Sequence, residues 1–248
     1  MIILSVLFFI TAILYSSVGF GGGSTYLALM LIWDIPYYIL PVVALFCNII
    51  VVSGNSINYV KSGNLNLNLL TPYLMGSIPF VFFGASISIS KELFEILLFV
   101  ILFVAGILLL IKNKSYSNDQ FKINSVPKVI SVFIGSIIGL ISGIVGIGGG
   151  IFLSPILFLM KAGYPKHIAT AASLFILINS IFGVAGQLTK NIVFDEFLNY
   201  WPLFLCVLVG GQIGNLLNIK FLSNKTLAII TSMLVIFVSI RMGIRLIP

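Results

Sequence analysis

Acidic side chains are almost absent from this sequence: it holds six Asp and Glu in 248 residues, with one histidine and two cysteines. Charged residues of both signs amount to 8%, where a soluble domain carries roughly a quarter. That is too little charge to clothe a water-facing surface of this size. One histidine, and cysteines at positions 47 and 206 in separate apolar runs, argue against a zinc cluster and a disulfide framework. Cys47 and Cys206 read as small apolar packing residues. An intramembrane enzyme needs a nucleophile with its base or clustered metal ligands, and neither is visible; no catalytic residue, metal ligand or cofactor is expected. The 13 Lys and Arg give a formal net charge of +7, yet they are dispersed, so a basic face for nucleic acid is not expected. They read as juxtamembrane residues that set orientation. The N-terminal run lacks a basic start and a small-residue cleavage site, and reads as part of the mature chain.

What the sequence has in abundance is apolar length. The hydrophobic fraction is 60% and the mean hydropathy is +1.21. About 20 apolar residues span the hydrocarbon core of a bilayer, and eight segments approach or exceed that: residues 2–33, 36–59, 69–89, 93–111, 129–160, 168–188, 197–219 and 227–247. The lipid bilayer is therefore the first partner expected, and whether the chain forms a homo-oligomer is left open.

The chain looks duplicated. Gly19-Phe20-Gly21-Gly22-Gly23 returns as Gly146-Ile147-Gly148-Gly149-Gly150, and Gly54, Asn58 and Lys61 align with Gly183, Gln187 and Lys190 at one offset. The expectation is an all-α integral membrane protein, a polytopic helix bundle of two tandem repeats of four hydrophobic segments. The repeats are residues 1–112 and 129–248, joined by a polar connector at 113–128. The first segment of each repeat is broken by its Gly-rich loop. As one helix, the 32 residues of 2–33 would measure about 48 Å against a core of ~30 Å. Either the segment crosses tilted and kinked, which leaves the repeats parallel, or it turns back at the glycines, which inverts them. Full crossing divides the 13 basic residues eight to five between the two sides; turning back divides them nine to four, a slight preference for inversion.

Each glycine weakens a helix by about 1 kcal/mol relative to Ala, and unwound backbone at membrane depth is tolerated only where protein buries it or a wet cavity receives it. The triplets are expected to unwind the chain, with half-helices starting at Ser24-Thr25 and at Ile151-Phe152. Amide donors and the positive dipole end would then face a cavity, which makes an anion site. Ser24 and Thr25 are expected to cap the first half-helix; Ser154-Pro155 is expected in the first turn of the second. The competing reading is close packing through small residues. The candidate substrate-binding set is Gly21, Gly22, Gly23, Ser24, Thr25, Asn48 and Asn58 in the first repeat. In the second it is Gly148, Gly149, Gly150, Ser154, Thr170, Ser173, Asn179 and Gln187. Asn48 and Asn179 occupy near-equivalent places. Asp34, Glu92, Asp119, Asp195 and Glu196 fall at segment ends or in connectors and Glu95 one turn into its segment, so no acid opposes an anion in mid-membrane.

These motifs, with Ile151-Phe152-Leu153-Ser154-Pro155, Gly163-Tyr164-Pro165 and Ala169-Thr170-Ala171-Ala172-Ser173-Leu174, resemble the TauE/SafE family of sulfite exporters over the whole chain. The resemblance implies a cytoplasmic-membrane permease for sulfur oxyanions or organosulfonates such as sulfite, sulfoacetate or thiosulfate, usually outward. The small anionic substrate is thus the second partner expected. Carriage of another small anion or organic acid, an anion channel and an intramembrane enzyme are the competing classes.

Overall fold

The computed structural model describes residues 1–17, 19–112, 123–190 and 194–220, with residues 236 and 240. Ten helices are found among them: α1 (Ile2–Ser16), α2 (Gly23–Ile32), α3 (Leu40–Lys61), α4 (Leu67–Ser86), α5 (Lys91–Lys112), α6 (Lys128–Val145), α7 (Gly150–Leu159), α8 (Pro165–Gln187), α9 (Phe194–Leu198) and α10 (Trp201–Lys220). No strand occurs in the described residues. Most of the connector, and the eighth segment at 227–247 apart from residues 236 and 240, lie outside them.

Four helices, α3, α4, α6 and α8, are long and apolar enough to cross a membrane. The half-helices α2 and α7 have 10 residues each, about 15 Å of rise against a ~30 Å core, so neither crosses. Local chemistry sets the boundaries. Pro41 stands in the first turn of α3, where a missing N–H costs nothing. The Asn66 side chain caps α4 by accepting from the Leu69 amide at 3.2 Å. Gly146, at φ 85°, ends α6.

Two packing seams carry the bundle. Along α4 and α6, Gly135 lies against Tyr73, Gly139 against Ser77 and Gly143 against Val81, so the two helices run side by side in one direction with their backbones in contact. Along α1 and α10, Gly210 meets Phe9 and Gly214 meets Ile13, again in one direction. Small residues permit this approach where lipid supplies no hydrophobic drive between helices. The glycines that seat these helix backbones against one another include 76, 84, 135, 139, 143, 210 and 214. Between the seams α3 and α8 cross in opposite directions: Ser56 pairs with Ser173 at 3.1 Å, and Leu45 packs on Gly183. Large apolar side chains, among them Met75, Phe83, Phe133, Leu205 and Leu216, are exposed on the outer surface. That is the pattern of a chain whose solvent is hydrocarbon.

The first long broken segment doubles back. Phe8, midway along α1, stacks on Tyr26 in the first turn of α2 with ring centroids 4.6 Å apart. Were α2 to continue the direction of α1, the eight residues from Phe8 to Ser16 alone would add about 12 Å of separation. The half-helices begin one residue earlier than expected, at Gly23 and Gly150. Pro155 is corrected from the first turn to the interior of α7, where it is buried.

Candidate functional site

The two glycine loops share three backbone hydrogen bonds at equivalent places. The Phe20 amide donates to Tyr15 O at 2.9 Å, and that of Ile147 to Ser142 O at 3.3 Å. Thr25 and Tyr26 both donate to Gly22 O; Phe152 and Leu153 both donate to Gly149 O. Gly22 (φ 86°) and Gly149 (φ 77°) are the N-cap residues, and neither half-helix has a side-chain cap. This left-handed backbone is open to glycine at no steric cost, which explains why each triplet ends a loop and starts a helix. Helix geometry leaves the first amides of α2 and α7 without an intrahelical acceptor. Their dipoles put partial positive charge at both points.

The loops meet at Asn48. Its Nδ2 donates to Ile147 O at 2.9 Å, which ties α3 to the second loop. A methyl group added at Gly21, Gly23 or Gly148 would collide with the Asn48 amide, so all three positions exclude a side chain for the same reason. Asn48 Oδ1 has no protein partner among the described residues; nor do Asn179 Oδ1, Ser142 Oγ and Ser180 Oγ, and all four residues are fully buried. Buried polar atoms are normally paired, and an unpaired one costs about 1–3 kcal/mol, so this cluster marks a place suited to water or a polar guest. No acidic or basic residue is among the buried residues described. The central space, walled by Tyr15, Phe20, Gly21, Gly22, Gly23, Ser24, Ile147, Ile151 and Ile176, measures about 10 Å³. One water fills that volume.

The expected site residues divide accordingly. Gly21, Gly22, Gly23, Ser24, Asn48 and Gly148 come together at the centre. Gly149 and Gly150 turn toward Phe175 and Ile176 and are packed rather than open. Thr25 does not cap α2; its hydroxyl pairs with the Tyr15 phenol at 2.7 Å and locks α2 to α1. Ser154 is buried within α7. Ser173 and Thr170 lie about one and two turns from Ile176 along α8; Thr170 donates to Lys166 O at 2.8 Å in its own helix. Asn179 donates to Phe175 O at 2.8 Å. Asn58 is half-buried near the far end of α3, about 15 Å along the helix from Asn48, and its carbonyl accepts from Ser62. Gln187 is buried away from the centre, donates to Gly143 O at 3.4 Å and accepts from Lys190 at 3.1 Å.

One equivalence differs from expectation. Ile176 stands against Gly148 and Gly150 as Asn48 stands against Gly21 and Gly23. The partner of Asn48 is therefore Ile176, not Asn179, and the polar contact is one-sided. Three residues outside the expected set matter: Tyr15, Ser16 and Asn55. Asn55 Nδ2 donates to Ser16 O at 3.0 Å and Ser16 Oγ to Gly211 O at 2.6 Å, which binds the end of α1 to α3 and α10. Ser16 maps onto Gly143 at the loop offset, so Gln187 holds the end of α6 as Asn55 holds the end of α1.

An apolar bundle whose two half-helices, too short to span a bilayer, begin beside a buried polar centre points to a membrane transporter. The comparisons give the family. A model of the sulfite exporter TauE/SafE family matches residues 4–242, and the chain belongs to that family. It is 27% identical to the probable membrane transporter protein y4hK of Sinorhizobium fredii over 96% of each chain. It is 32% identical to the probable membrane transporter protein MJ0441 of Methanocaldococcus jannaschii over 74% of this chain and 70% of that one. Identity to the probable membrane transporter protein YunE of Bacillus subtilis is 22% over 97% and 96%. No solved structure matches.

Proposed function

We propose that this protein carries small sulfur oxyanions, such as sulfite, thiosulfate or organosulfonates, outward across a bacterial or archaeal cytoplasmic membrane. The observation that carries this reading is that the N-terminus of α2, at Gly22 and Gly23, and the second glycine loop, at Ile147 and Gly148, meet at Asn48 in a buried polar centre without acids among the described residues. Backbone amides and dipole ends are the donors an oxyanion needs, and the missing carboxylates leave nothing to repel it. An inside-negative potential contributes about 2.3 kcal/mol per 100 mV to each negative charge that leaves, so export proceeds without a proton relay.

The same reading makes the chain two inverted repeats. It is supported by the opposite run of α3 and α8, by the shared direction of α4 with α6 and α1 with α10, and by the Phe8–Tyr26 stacking. Inverted repeats with discontinuous helices at their interface are the usual frame for alternating access. A central space of about 10 Å³ belongs to a closed state, and rocking one repeat against the other would admit an anion of four or more heavy atoms. Tracer counterflow in proteoliposomes, run across sulfite, thiosulfate, methanesulfonate and sulfate, tests the assignment. Counterflow of at least one sulfur oxyanion above protein-free vesicles is expected, and its absence across the panel would overturn the proposal.

A further inference from the structure

Lys190 follows the last turn of α8 and is half-buried, yet no carboxylate lies within 4.0 Å of its ammonium among the described residues. It donates instead to the neutral Oε1 of Gln187 at 3.1 Å. Burial pushes its pKa below the ordinary lysine value, because leaving water disfavours the charged form. Its sequence counterpart Lys61 is exposed at the end of α3, so the burial is a property of the second half alone.

Lys190 and Gln187 line a cavity of about 80 Å³ with Tyr37, Tyr38, Pro41 and Ile144, several times the central space. No acid lines it among the described residues. Of the described carboxylates, Glu196 accepts from the Tyr38 phenol at 2.9 Å, and Glu95 faces Lys91 at 4.0 Å. The cavity also adjoins the second glycine loop. Pro41 packs on Gly146, and Gln187 Nε2 donates to Gly143 O on the last turn of α6. A half-buried cation with no counter-ion among the described side chains, a buried amide and a volume suited to a small oxyanion thus sit together one step outside the centre.

We propose that this cavity is a second anion site, a vestibule in which Lys190 and Gln187 hold an oxyanion on its way to or from the central loops. The proposal rests on the oxyanion reading of the centre. Under the inverted arrangement Lys190 lies on the side with fewer basic residues, opposite Lys61, which is the outer side by the positive-inside rule. In outward transport the vestibule draws the anion toward release.

The test uses the full-length protein in two arms. In phosphatidylcholine proteoliposomes, thiosulfate counterflow is measured for the wild type, Lys190→Met, Lys190→Arg and Lys61→Met. The Lys190→Met variant is expected to raise the half-saturating concentration about tenfold with the maximal rate within twofold. Lys190→Arg restores it, and Lys61→Met leaves it unchanged. An unchanged half-saturation in Lys190→Met, or a fall in maximal rate alone, overturns the site. An effect confined to vesicles containing phosphatidylglycerol overturns the transported anion as occupant in favour of a lipid phosphate. In the second arm, amine labelling of the wild type is read by mass spectrometry. Millimolar thiosulfate is expected to protect Lys190 and not Lys61, and equal labelling of Lys190 with and without thiosulfate overturns the vestibule even where no transport is observed. Protection of Lys190 without counterflow of any panel anion retains the vestibule and overturns the transport reading instead.

Discussion

Asn48 on α3 and Ile147 in the second glycine loop are joined by a buried hydrogen bond of 2.9 Å, from Nδ2 to the carbonyl oxygen. It links the two halves of the chain at the point where both half-helices begin. Asn48→Leu leaves the Ile147 carbonyl buried and unpaired, which costs about 1–3 kcal/mol. The thermal midpoint in detergent is expected to fall by several degrees, and flux by at least tenfold. A melt and a flux equal to wild type would remove Asn48 from the site.

Backbone strain at the N-caps separates from crowding by comparing two glycines. Gly63, at φ 72°, has nothing within 4 Å of an added methyl, while at Gly22, at φ 86°, the methyl meets the Tyr26 ring at 3.0 Å. The left-handed conformation costs a non-glycine residue about 1–2 kcal/mol. Gly63→Ala is expected to lose about that in stability with transport intact; Gly22→Ala loses more and transports poorly. Melting curves and counterflow on both variants check the ordering.

The α4–α6 seam carries stability rather than chemistry. Gly139→Leu drives a side chain into the Ser77 backbone, and overpacking of this kind costs about 1–3 kcal/mol, occasionally more. A lower yield of monodisperse protein is expected, with the half-saturating concentration of the surviving fraction unchanged. A shifted half-saturation would place the seam within the site.

Inversion has a direct readout in side-chain accessibility. In a Cys47→Ala, Cys206→Ala background, cysteines placed singly at Lys61 and Lys161 are expected to react with an impermeant maleimide from one side of the membrane. A cysteine at Lys190 is expected to react from the other. Labelling of Lys61→Cys and Lys190→Cys from the same side would mean parallel repeats.

Much of this was legible in the sequence because glycine has few reasons to cluster in an apolar run. The triplets gave the broken segments and the half-helices, while the contact of both loops with Asn48 emerges only in three dimensions. The aligned Gly54, Asn58 and Lys61 against Gly183, Gln187 and Lys190 carry the proposed duplication. What was not legible came from three-dimensional register. Gly135, Gly139 and Gly143 are spaced as a packing stripe, but only the neighbouring helix reveals which stripe is used. Asn48 and Asn179 occupy near-equivalent places along the chain, whereas the loop contacts set Ile176 against Gly148 and Gly150 as Asn48 is set against Gly21 and Gly23. Thr25 reads as a cap from sequence, but Tyr15, one turn across the hairpin, takes its hydroxyl. Lys190 and Lys61 look alike along the chain, and burial of one and not the other is decided by the helices that surround them.

Backbone donors at the N-caps of α2 and α7 are proposed to bind the transported anion. Thiosulfate counterflow by Gly22→Leu and Gly149→Leu, each first shown by its melting curve to be folded, tests this most directly. Folded protein with flux at the protein-free level is the predicted result for both; wild-type flux in both would contradict the account.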